Sequence, residues 1–215
     1  GAGKIGQVAA EILARAPAGG YDVTLADQNE LALAAAGCGP EVRTRVVDAK
    51  DPGALRAALT GQFAVLSAAP FHLTVAVAEA ALAAGTHYLD LTEDVASTRR
   101  IRQLANSGAN TFIPQCGLAP GFISIVAADL ARRFERLDSV RMRVGALPAY
   151  PSNALNYNLT WSTEGVINEY IEPCEAIVDG RRTEVPALEE REEFSLDGVR
   201  YEAFNTSGGL GTLCE

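Results

Sequence analysis

Gly1-Ala2-Gly3-Lys4-Ile5-Gly6 opens the chain, and Val23-Thr24-Leu25-Ala26-Asp27 follows 21 positions behind its last glycine at Asp27. The first stretch has the GxGxxG spacing. Its first glycine permits a tight turn, its second removes a side chain where a pyrophosphate approaches the backbone, and its third lets a helix pack on a strand. A helix starting at such a loop directs unpaired N–H groups and the positive end of its dipole at an anion. The second stretch reads as a strand ending in an acid at the separation of about 20 residues found in dinucleotide folds. A carboxylate there accepts the two ribose hydroxyls and repels a 2′-phosphate. Gln28 and Asn29 follow in place of arginine, so NAD is preferred over NADP. The candidate cofactor residues in this region are Gly1, Gly3, Lys4, Ile5, Gly6 and Asp27.

Outward from this pair, two periodicities alternate over the first 120 residues. Strand-like runs lie at 21–26, 42–48, 63–67, 87–91 and 111–114. Alanine-rich helical stretches lie at 6–15, 30–36, 51–59, 73–84 and 95–107. Strand and helix in turn, joined by short loops, imply a parallel sheet covered on both faces. The fold class is therefore α/β, a doubly wound sheet of about six strands. Gly85 and Gly108 stand where helices need a left-handed cap. From Gly121 the grammar changes to α+β. Residues 121–135 read as a helix with an apolar stripe of Phe122, Ile125, Val126 and Leu130, and 139–147 as an alternating strand. Asp179-Gly180 and Asp197-Gly198 signal hairpins, and Thr163–Tyr170 is a helix capped by Ser162. Two domains are expected, 1–120 and 121–215. The chain opens without methionine on a loop that normally follows a buried strand and stops behind a glycine-rich run. It reads as a piece lacking a first strand and further residues at the back.

Composition excludes several classes. Of 215 residues 48% are apolar, enough for a sizeable core, and the net charge of −9 disfavours nucleic acid or an anionic membrane as partner. No apolar run approaches the roughly 20 residues of a membrane span. Cys38, Cys116, Cys174 and Cys214 are far apart with no metal-ligand spacing, as suits free thiols in the cytoplasm and no metal site.

Further candidates lie where strand ends face the crevice of such a sheet. Asp48 either touches the adenine side or belongs to the helix cap around Asp51-Pro52. Ser67, Ala68, Ala69 and Pro70 are small enough to let the backbone approach the nicotinamide half, and Gly117 joins them. Asp90 is either a base for proton abstraction or, like Glu93, a helix cap. His72 is either catalytic or the start of a helix, and Cys116 either tunes the pocket or fills it. His87 opens its strand at the far end and reads as structural. Gly121 opens a helix whose amides suit a substrate carboxylate, while Tyr157, Asn158, Trp161 and Thr163 make a polar–aromatic wall. Arg141 and Arg143 share one face and suit a carboxylate, or simply solvent.

Six pieces in order along the chain carry a resemblance: 1–6, Ala69-Pro70-Phe71-His72, His87-Tyr88-Leu89-Asp90-Leu91, Cys116-Gly117-Leu118-Ala119-Pro120-Gly121, Asn156-Tyr157-Asn158 through Glu169-Tyr170, and Thr206-Ser207-Gly208-Gly209. With these the chain resembles the saccharopine dehydrogenase-like oxidoreductases, lysine 6-dehydrogenases among them. The resemblance implies a Rossmann domain, then a substrate and dimerisation domain, NAD(P)-linked chemistry on the C–N bond of an amino-acid amine, and a homodimer. Phe71 stands where saccharopine reductases have a tyrosine, which favours lysine 6-dehydrogenase-like chemistry over a simple saccharopine reductase. Alternatives are a dinucleotide-binding regulatory protein without catalysis and a carboxynorspermidine dehydrogenase-like reductase.

Overall fold

A computed structural model describes residues 1–17, 20–145, 147–154, 156–159 and 161–215. The chain divides into two compact units, Gly1–Asp90 with Arg99–Pro114, and Leu91–Thr98 with Gln115–Glu215.

In the first unit the elements run α1 (Lys4–Ala14), β1 (Val23–Asp27), α2 (Glu30–Ala35), β2 (Val42–Val46), α3 (Pro52–Leu59), β3 (Ala64–Ser67), α4 (Phe71–Ala84), β4 (His87–Asp90), α5 (Val95–Ala105) and β5 (Phe112–Ile113). The α/β alternation expected from the sequence is present at every position. All five strands are parallel, in two ladders of order β1-β2 and β3-β4-β5. Helix starts follow local chemistry. Asn29 caps α2 by accepting from Leu31 and Ala32, and Asp51 caps α3 by accepting from Gly53 and Ala54, with Pro52 as the first helical residue.

The core has two centres. Ala2, Ala10, Leu25, Leu33 and Val42 pack around the β1 ladder. Val47, Leu55, Leu59, Val77, Ala78, Ala81, Tyr88, Ile101 and Leu104 pack around β4. Helix α4 buries Thr74, Val77, Ala78, Ala80 and Ala81, and the run of alanines lets its neighbours approach closely. Two polar side chains in this core find carbonyl partners. Thr86 Oγ1 donates to the Leu59 carbonyl (2.9 Å), and the Asn110 amide donates to the carbonyls of Ala81 and Thr86 (3.1 and 2.7 Å). His87 has the structural place expected of it: its Nδ1 accepts from the Thr111 amide (2.9 Å), and its ring stands edge-on to Phe63.

The second unit holds α6 (Phe122–Ala131), α7 (Thr163–Ile171), β6 (Cys174–Val178), β7 (Arg181–Val185), β8 (Glu192–Leu196) and β9 (Val199–Ala203). β6-β7 and β8-β9 are antiparallel hairpins. Their turns are the two Asp-Gly pairs, with positive φ at Asp179 (51°), Gly180 (73°), Asp197 (51°) and Gly198 (79°), the backbone hand that two-residue hairpins need. Ser162 caps α7 by accepting from the Gly165 amide.

Two sequence expectations are corrected. No strand forms over 139–145; position 146 lies outside the described residues. Arg143 instead makes a paired contact with Glu192 (2.6 and 2.8 Å) and lies over the Phe194 ring, and Arg141 reaches the same carboxylate at 3.4 Å. The alternation therefore serves side-chain anchoring on β8. Gly108 does not take the left-handed conformation. A Cβ there would meet the end of the Leu82 side chain, which a rotation of that side chain can clear. Gly85 does take it (φ 70°), and a Cβ there would meet nothing within 4 Å. Gly85→Ala therefore isolates the cost of handedness, and urea unfolding should show a loss of about 1–2 kcal/mol.

Candidate functional site

Three glycines at the start do three different things. A Cβ on Gly1 would stand 2.5 Å from the Ala68 carbonyl oxygen, and one on Gly6 would overlap the Gly1 carbonyl oxygen. These two positions weld the loop to α1 and to the chain after β3. A Cβ on Gly3 would meet nothing within 4 Å, so the loop leaves open space there. Gly3 is also the N-cap of α1 and offers no side chain to it. The first backbone bond of the helix runs from the Gln7 amide to the Gly3 carbonyl (3.0 Å). The amides of Lys4, Ile5 and Gly6 thus lie at the dipole's positive end ahead of that ladder. A cradle of backbone donors beside an unfilled volume fits a diphosphate.

Asp27 ends β1 and does more than the sequence indicates. Its Oδ2 accepts from the Ala2 amide at 2.7 Å and its Oδ1 from the Asn29 amide at 2.9 Å. Burial pushes its carboxyl up, but the bonds from Ala2 and Asn29 outweigh this and hold it below the usual carboxylate value. Asp27 is therefore a fixed anion at neutral pH. Asp48 lies two residues beyond β2, exposed, and accepts from the Lys50 amide at 2.8 Å.

Ser67 ends β3 and pairs in register with Asp90 at the end of β4; both are buried. The Tyr88 phenol donates to Asp90 Oδ2 at 2.8 Å and is pushed up by burial and by that carboxylate. The helix cap next to Asp90 is Asp94, which accepts from the Ser97 amide at 2.6 Å. Asp90 is thus held by a phenol instead of by a helix start. Ala68, Ala69 and Pro70 connect to α4, where His72 is the second residue, exposed, with its ring edge-on to Phe71.

In the second unit, the loop 117–121 closes on itself. Gly117 and Gly121 form a bridge, and a Cβ on Gly121 (φ 130°) would overlap the Gly117 carbonyl oxygen. The Phe122 and Ile123 amides donate to the carbonyls of Gly117 and Leu118 (2.9 and 3.0 Å). The α6 amides expected to receive a substrate carboxylate are engaged in this turn. Cys116 precedes it and is exposed. Tyr157 and Trp161 are joined by an indole N–H donating to the phenol oxygen (3.3 Å), Asn158 is exposed, and Thr163 is the first residue of α7.

One titratable residue escaped the sequence reading. Glu169 on α7 is held up at about 7 by burial and by Glu93. Its signal lay in two distant acids whose proximity no spacing rule reveals. Among the described residues, no three His, Cys, Asp or Glu are grouped so as to hold a metal ion, and no helix is long and apolar enough to cross a membrane.

Residues 1–112 match the family model for the saccharopine dehydrogenase NADP binding domain, and residues 117–213 that for the saccharopine dehydrogenase C-terminal domain. The chain belongs to the saccharopine dehydrogenase family. Its fold matches apo saccharopine dehydrogenase (L-Glu forming) from Saccharomyces cerevisiae with a TM-score of 0.70 at 19% identity. That match takes in 96% of this chain and 48% of the yeast one, so this family member spans about half the length of that relative.

Gly3→Ala and Gly6→Ala separate the loop's two duties. Gly3→Ala should leave thermal unfolding within about 0.5 kcal/mol of the parent while weakening dinucleotide binding in calorimetric titration. Gly6→Ala should lower stability itself, because backbone must move.

Proposed function

We propose that the protein is an NAD-dependent oxidoreductase acting on the C–N bond of an amino-acid amine. The observation that carries this is the pairing of the open cradle at Gly3 with the fixed carboxylate of Asp27, within a family whose model names a dinucleotide-binding domain. When bound, the dinucleotide supplies the hydride acceptor. The amides of Lys4, Ile5 and Gly6 would hold its diphosphate, Ser67, Ala68, Ala69 and Pro70 would serve its nicotinamide half, and Asp48 and Gly117 would complete the cofactor set.

The cofactor choice sets two indications against each other. The family description names NADP. Asp27, ionised and carrying two backbone donors, speaks for NAD, because a 2′-phosphate brought beside it would meet a like charge at contact distance. We favour NAD because the carboxylate is local and charged, while the description covers a whole family.

Amine oxidation also needs a base for the substrate ammonium and a dry pocket. Asp90 is the first candidate, since Tyr88 fixes its carboxylate in a buried setting; Cys116 and His72 are the others. Tyr157, Asn158, Trp161 and Thr163 are assigned to the substrate. The exposed stripe of Phe122, Ile125 and Leu130 on α6, a helix with no buried residue, supports a homodimer. The protein is assigned to the cytoplasm on its free thiols.

The intact protein, given NAD and a panel of lysine, saccharopine and polyamine-like amines, should produce NADH absorbance. Binding of NAD with silence across the panel would favour a regulatory dinucleotide-binding protein instead. The double variant Asp27→Ser, Gln28→Arg should move the NAD/NADP affinity ratio toward NADP by about 10-fold or more, one charge contact being worth at least ~1.4 kcal/mol in a partly buried site. Equal affinities in parent and variant would remove Asp27 from cofactor recognition.

A further inference from the structure

No role proposed for the dinucleotide site falls to the Thr206-Ser207-Gly208-Gly209 piece, yet its geometry is tightly determined. The Ser207 amide donates to the Glu169 carbonyl at 2.9 Å, and its hydroxyl donates to the Pro173 carbonyl at 2.9 Å. Gly208 has φ 77°, and a Cβ there would overlap the backbone oxygen of Glu93. Both properties exclude any other residue without backbone movement. The piece therefore pins the C-terminal end of α7 to the Leu91–Thr98 segment.

The opposite side of that seam is equally close. Gly165 on α7 faces Glu93: a Cβ there would stand 3.2 Å from Glu93 Oε1 and would overlap the Trp161 ring. Glu169 follows Gly165 by four residues and so lies one turn further along the same helix face. The Asn168 amide group donates to Asp94 Oδ1 at 3.2 Å across the same seam. Glu93 is buried at 7% exposure and Glu169 is half-buried. Two carboxyl-bearing residues thus face the surface by which α7 packs on this segment.

We propose that Glu93 and Glu169 share one proton, and that this proton latches α7 to the Leu91–Thr98 segment. Two carboxylates taken out of water and set against each other do not both ionise cheaply, and a single proton turns the repulsion into attraction. Glu169 is accordingly held up at about 7, by burial first and then by Glu93. The other titratable groups facing it are Tyr170 on its own helix and Cys174 on β6, whose thiol burial pushes up to about 11. Asp94 reaches α7 through Asn168. Glu169 is the group that titrates near neutrality. Because its folded value is raised, the latch is complete below the ordinary carboxylate value of 4.5 and is lost as pH rises through about 7. The latch does not depend on the dinucleotide chemistry.

The chain carries a single tryptophan, Trp161, and its ring lies against Gly165 at this seam. Its emission in the intact native protein, followed from pH 5 to pH 9, should show a one-proton transition centred near pH 7. Amide exchange in α7, corrected for the intrinsic pH dependence, should quicken about 10-fold or more across the same window. Glu169→Gln should abolish both changes and keep α7 protected at pH 9. Glu93→Gln should move the transition to the acid side, and Cys174→Ser should leave it in place. A flat wild-type curve overturns the proposal, as does a transition that persists in Glu169→Gln. Should Glu169→Gln fail to fold, Glu93→Gln decides: an unmoved transition overturns the latch, and one displaced toward acid supports it.

Discussion

A single hydrogen bond organises the front of the molecule: the Ala2 amide donating to Asp27 Oδ2 at 2.7 Å. It joins the glycine loop to the end of β1, two pieces 25 residues apart. It also leaves Asp27 charged, because an acceptor of backbone donors is stabilised as the anion. With Asp27 held this way, Gly1 and Gly6 close on backbone oxygens on one side, while Gly3 faces open space on the other. A loop shaped by backbone contacts alone can present amides to an anionic ligand, since no side chain stands in the way. The diphosphate cradle and the cofactor discrimination therefore arise from one local constraint.

The second unit is built on the reverse principle. Its elements are small hairpins and short helices whose mutual fixing comes from glycine contacts and carbonyl acceptors. Gly117 against Gly121, Gly165 against Trp161 and Gly208 against Glu93 are places where backbone approaches more closely than a methyl group permits. Close backbone approach brings polar side chains into confinement as well, and Glu93, Asp94, Asn168 and Glu169 gather at one seam. Rigid positioning and a perturbed carboxyl are two results of the same packing.

The first unit was legible in the sequence because its signals are local. Apolar runs of four to five residues, alanine helices and Asp51 as a cap each state their conformation within a few positions, as do the two Asp-Gly turns of the second unit. Where a reading went astray, a distant partner decided. The alternation at 139–145 has the period of a strand, yet Glu192 and Phe194, about 50 residues on, hold its arginines as single anchors. Gly108 looked like a cap glycine, yet its backbone does not take the left-handed conformation.

By itself the sequence determined the α/β alternation and the hairpins of the second unit, since each depends on neighbours within one or two turns of chain. Tertiary structure alone decided how Asp27 is charged and shared, which amides of the 117–121 turn are already engaged, and that Glu93 meets Glu169. Those outcomes depend on burial and on contacts between residues tens of positions apart. Electrostatic free energy in a folded chain is set by such distances, and no linear spacing encodes them.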